Sequence, residues 1–105
     1  MNPFQMLHDL CVEKSFSVAT AESCTAGLLA SKIASISGAS SFLKGGVVAY
    51  QNDVKINILG VSQSLLDENK EVSSEVVEQM ATGARNKTLA DFTIATTGYA
   101  GPTGG

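Results

Sequence analysis

The chain has 105 residues, 44% hydrophobic and 16% charged, which leaves room for one domain with a buried core and excludes a disordered tail or a charged solenoid. Seven Lys and Arg against ten Asp and Glu give a net charge of −3 with no basic run, so the composition argues against a nucleic-acid partner. Two cysteines, Cys11 and Cys24, are too few for a disulfide scaffold, the start lacks a secretory signal, and no apolar run approaches the roughly 18–20 residues of a membrane span; a cytoplasmic protein without membrane attachment is expected.

Asn2-Pro3 reads as a helix cap and first helical position, and Phe4, Leu7 and Cys11 share one face, which predicts a helix over about 3–13. Residues 16–20 read as a short strand, followed by a polar turn at 22–25 and a helix over 27–36 with Leu29, Ile33 and Ile36 as its stripe. Ser37 to Ser41 form a small-residue loop, and 46–51, which contains Tyr50, is the best strand candidate. Asn52 then caps a helix with Val54, Ile58 and Leu59 inward and Gly60 as its stop, so Lys55 falls in the first turn. Ser62 starts a short helical segment over 63–69, and Ser73 with Glu75 opens a longer helix striped by Val76, Met80 and Ala84. Residues 92–96 are a third strand, and the chain ends in a loop with four glycines in its last eight residues.

Strands alternating with helices predict an α/β domain, a three-layer α/β/α sandwich with a largely parallel or mixed sheet and its site at the carboxyl ends of the strands. Three strands are few for a finished sheet, so an exposed edge is expected to be covered by more chain or by a partner subunit, as in a homo-oligomer.

Chemistry-bearing residues are judged by position, because twenty residues are Ser or Thr. Ser23 follows a strand and precedes a helix, where a hydroxyl can act as a nucleophile beside free helix N–H groups; the same spacing fits Ser23 or Thr25 as a plain helix cap. Cys24 is an alternative nucleophile or a buried thiol. The single histidine, His8, lies in the first helix, which disfavours a Ser-His-Asp triad and a histidine-based metal site. A base must then be a lysine or a carboxylate. Lys55, facing the positive end of a helix dipole, can serve as a neutral base or be a solvated helix lysine. Tyr50 can orient that amine or the serine, or fill the core. Ser41-Phe42-Leu43-Lys44 matches an S-x-x-K pattern of little weight in so serine-rich a chain. Asn86-Lys87-Thr88 is a sequon in letters only, and the terminal glycines make a poor nucleotide fingerprint.

Thr20 to Gly27, Gly45 to Lys55, Leu59-Gly60-Val61, Val72-Ser73 and Thr97 to Gly105 together resemble the CinA C-terminal domain family, motif after motif in that family's order. The active members of that family are nicotinamide-nucleotide amidohydrolases, which convert nicotinamide mononucleotide to nicotinate mononucleotide and ammonia. The resemblance implies Ser23 as nucleophile, Lys55 as base and Tyr50 beside them. It implies that Ser40, Thr97, Thr25, Gly98 and Gly101 line the substrate site, with no metal and no cofactor. Ala26 stands where the family usually has glycine, and Tyr99 and Thr103 replace the usual isoleucine and aspartate of the glycine loop. Residues 1–105 correspond to about the first two-thirds of the family domain, in its stand-alone form. Two other readings are a non-catalytic nucleotide-binding or interaction module, including a truncated inactive relative, and a Ser/Lys amidase for another carboxamide.

Overall fold

Strand β1, Val18–Glu22, is buried at all five positions, which requires hydrogen-bonded strands on both sides and cover on both faces. A computed structural model, describing residues 2–68 and 72–98, supplies both. Strand β2 (Leu43–Val48) and strand β3 (Phe92–Thr96) flank β1 in the order β2-β1-β3, and both pairs are parallel. The expected three-layer α/β/α arrangement with a parallel sheet is therefore present.

Side chains alternate along β1, so each face has its own core. Val18 packs with Cys11, Ile33, Ala39 and Phe42 beneath α1 (Pro3–Lys14) and α2 (Leu28–Ala34). Ala21 packs with Leu59, Val61, Leu66, Val76, Met80 and Ala84, which come from α5 (Ser74–Thr88), from α4 (Gln63–Asp67), and from the segment following α3 (Asn52–Asn57). Small residues on this face let α5 lie close to the sheet. The expected stripe Val76, Met80 and Ala84 is the buried face of α5.

Several ends follow from single residues. Asn2 Oδ1 accepts the Phe4 N–H at 2.8 Å and Pro3 opens α1, and Ser73 Oγ accepts the Val76 N–H at 3.2 Å at the start of α5. Strand β3 spans the expected 92–96. Strands β1 and β2 are displaced from their expected ranges of 16–20 and 46–51. Phe16 closes the α1 turn through its N–H to the Cys11 carbonyl and stacks edge-on against Phe92 at 4.9 Å, so the ladder begins at Val18. In β2, Leu43 joins the α1–α2 core and opposes Val18, with a register shift immediately after. The strand consequently ends at Val48, and Tyr50 lies outside it.

Candidate functional site

The two ladders run on past the strands at the carboxyl edge of the sheet. Ser23 donates its N–H to the Thr96 carbonyl at 3.1 Å, and Ala49 donates to the Glu22 carbonyl at 2.8 Å. Ser23 thus sits at the end of the central strand, held from both neighbours and 5% exposed. A tight turn follows: Ala26 N–H reaches the Ser23 carbonyl at 3.1 Å, Leu28 N–H reaches the Thr25 carbonyl at 3.0 Å, and Ala26 and Gly27 both have positive φ, 51° and 98°. The Ser23 hydroxyl makes no hydrogen bond to a described residue. This is a strand-turn-helix elbow that presents a hydroxyl at the sheet edge.

Neither Ser23 nor Thr25 caps α2. Glu22 does so from the end of β1: its carboxylate accepts from Leu29 N–H at 2.7 Å, Ala30 N–H at 2.9 Å and the Thr25 hydroxyl at 2.6 Å. Thr25 Oγ1 also lies 2.9 Å from Thr96 Oγ1. Burial pushes the Glu22 carboxyl up, but hydrogen bonds from Thr25, Ala30 and Leu29, with the Thr20 hydroxyl adding its attraction, outweigh it and hold the group below its ordinary value. Thr20 Oγ1 itself does not reach hydrogen-bond geometry; it is buried against Gly46, where a Cβ would collide with it.

With Leu29 and Ala30 engaged by Glu22, the free helix amides expected beside Ser23 are already occupied. The amides of Cys24 and Thr25 in the turn have no acceptor among the described residues. Glu22 was not among the expected site residues. Its one signal in the sequence is a carboxylate ending a buried strand ahead of a helix whose cap position, Gly27, has no side chain.

Lys55 is buried, 3% exposed, at the same edge of the sheet. Helix α3 carries it, following β2, with Val54 and Ile56 packed on the α5-side core. Its Nζ donates to Asn52 Oδ1 at 3.4 Å. The dipole argument does not apply: α3 has only six residues and Lys55 lies in its last turn, where the carbonyl end favours a cation. Nor is Lys55 a solvated surface lysine.

Tyr50, in the β2–α3 connection, is 63% exposed and so is not a core residue. Thr97 and Gly98 follow β3 beside the elbow, half-buried, and a Cβ at Gly98 would touch Cys24 Sγ at 3.5 Å. Gly101 lies outside the described residues. Ser40 is elsewhere: it sits in a 3-10 turn, Ala39–Ser41, before β2, and Phe42 just after it accepts from Val18 N–H at 2.9 Å. That is the amino end of β1, roughly 16 Å from Ser23 by strand rise. His8 packs edge-on to Phe42 at 5.4 Å, on that same side. No group of three metal-ligating side chains occurs among the described residues, and no described helix is long and apolar enough to cross a membrane.

The chain is similar to known proteins in sequence and in fold. The family model for the CinA C-terminal domain matches residues 3–105. A CinA-like protein of Shewanella pealeana is 48% identical over 99 residues, 94% of this chain and 23% of that protein; one of Chlorobium chlorochromatii is 48% identical over 101 residues, 96% of this chain and 24% of that protein. The chain thus spans about a quarter of the length of these curated relatives. Among solved structures, the competence/damage inducible protein CihA of Agrobacterium tumefaciens superposes with a TM-score of 0.93 at 39% identity, covering 97% of this chain and 62% of that one. A competence-damaged protein (CinA) superfamily protein of Escherichia coli gives 0.92 at 39% identity, covering 97% and 59%. The chain therefore belongs to the CinA C-terminal domain family.

Proposed function

We propose that this chain carries the serine-lysine centre of a cytoplasmic nicotinamide mononucleotide amidohydrolase of pyridine-nucleotide salvage, acting as a homo-oligomer. The observation that carries this reading is the burial of Ser23 and Lys55 at one edge of the sheet, in a chain of this family. Lys55 Nζ takes the proton of Ser23 Oγ as that oxygen bonds to the carboxamide carbon. The turn amides of Cys24 and Thr25, with Thr97, hold the oxyanion. The carbon–nitrogen bond then breaks and ammonia leaves with the proton from Lys55. Water, losing a proton to Lys55, attacks the acyl ester, and Ser23 recovers its proton. In this reading Tyr50 stands beside Ser23 and Lys55 in the catalytic group, Gly98 and Gly101 line the substrate, and Thr25, whose hydroxyl proton goes to Glu22, serves the site through the turn it holds. Ser40 contributes to the same site only from another copy of the chain.

The test is ammonia release from nicotinamide mononucleotide. Ser23→Ala and Lys55→Ala are each expected to lower turnover by at least about 1,000-fold while the thermal melt stays cooperative. Undiminished rates in both variants overturn the assignment. Binding of the nucleotide by a folded wild-type chain without ammonia release favours a non-catalytic module, and release from a different carboxamide favours another amidase.

A further inference from the structure

We propose that Glu22 is a positioning residue for the Ser23 nucleophile: its buried carboxylate joins the end of β1, the first turn of α2 and the end of β3 into one brace that sets the Ser23 turn. The inference rests on the amidase reading for its consequence in turnover, and on hydrogen bonds alone for the brace itself.

Glu22 is 1% exposed. A carboxylate so buried is tolerated only when donors surround it, and here Leu29 N–H, Ala30 N–H and the Thr25 hydroxyl do so. The direction of each bond follows. An ionised carboxylate only accepts, so Thr25 commits its single hydroxyl proton to Glu22. The 2.9 Å contact between Thr25 and Thr96 is then donated by Thr96. Thr96 also receives the Ser23 N–H on its carbonyl, so one residue of β3 grips the turn from both ends. While Glu22 is charged, Thr25 has no proton to give a substrate, and its share in the site is to hold the elbow.

Glu22→Gln keeps the shape but turns an NH₂ toward donors that need an acceptor. Thr25→Val removes only the hydroxyl link. Three readouts separate positioning from general destabilisation: kcat, KM, and amide hydrogen exchange at Leu29 and Ala30, each in the full chain below its melting range. Glu22→Gln is expected to lower kcat about 10- to 100-fold with KM within about 3-fold, because an interaction that aligns the nucleophile acts mainly on the transition state. Exchange at Leu29 and Ala30 should rise by at least about 10-fold, while Val76 and Met80 in α5 keep their protection. A folded Glu22→Gln with unchanged kcat, or with unchanged exchange at both amides, overturns the proposal. Should Glu22→Gln fail to fold, Thr25→Val decides: it is expected to lower kcat in the same direction, and wild-type turnover in that variant overturns the brace. If the folded wild-type chain releases no ammonia, the amidase reading fails, and exchange at Leu29 and Ala30 in the variants still tests the brace.

Discussion

At the scale of single residues, the elbow is built on a conformation that its sequence does not favour. Ala26 holds φ at 51° next to Gly27 at 98°. A left-handed conformation disfavours an L-residue by roughly 1–2 kcal/mol, because Cβ crowds the following carbonyl. Glycine removes that strain but restores about 0.4–1 kcal/mol of unfolded-state entropy. Ala26→Gly is therefore expected to stabilise the chain by about 0.5–1 kcal/mol, a rise of roughly 2–6 °C in Tm for a domain of this size. Gly27→Ala, at φ 98°, is expected to lower it. A calorimetric scan showing Ala26→Gly below wild type would contradict the strained elbow. The sequence does point to the turn at 22–25 and to Ser23 at its head. It does not reveal Glu22, because that side chain is satisfied seven and eight residues onward and, through Thr25, across the sheet at Thr96. Such partners follow from tertiary placement, not from local spacing.

At the scale of elements, α5 is the helix most legible in the sequence, because fifteen residues with a regular stripe leave no competing period. Its Gly83 is a residue whose meaning only packing reveals. In an exposed helix Gly→Ala gains about 1 kcal/mol, but a Cβ on Gly83 would overlap the carbonyl and Cα of Leu59, at the point where the chain leaves α3. Gly83→Ala is expected to destabilise by about 1–3 kcal/mol through backbone displacement, whereas Thr82→Ala, on the exposed side of the same helix, gains a few tenths. Urea titrations of the two variants check this, and a gain from Gly83→Ala would show that α5 does not need the close approach. Pairing across the sheet sets the strand boundaries. Strands β1 and β2 are each shifted by two or three residues, since their registers are fixed by Phe92 and Leu43 across the sheet. Lys55 moved from a first turn to a last turn because α3 stops after six residues, a length no cap residue announces.

At the scale of the molecule, the two edges of the sheet are protected unequally. Edge strand β2 carries Lys44 at a register irregularity opposite Val18 and Ala19, two features that oppose pairing with another chain. Edge strand β3 has neither. Its sequence, Phe92 to Thr96, holds no charge and no proline, and among the described residues only β1 pairs with it. On the α1–α2 face it leaves Phe92 51% and Ile94 37% exposed, continuous with Phe16 at 37%. An uncharged strand edge without a bulge, beside an aromatic pair, is a template for a second copy of itself. The 105-residue chain is therefore expected to self-associate, and Ile94→Lys to shift it toward monomer, because the added charges would meet across the new pairing. Val48→Lys, at the far edge on β2, places the same charge where no copy is expected and should leave the assembly intact. Sedimentation velocity of the three proteins distinguishes these outcomes: a wild-type chain that stays monomeric overturns the self-association and with it any contribution of Ser40 from a second copy, whereas an Ile94→Lys variant that assembles as wild type does moves the contact from β3 to another surface.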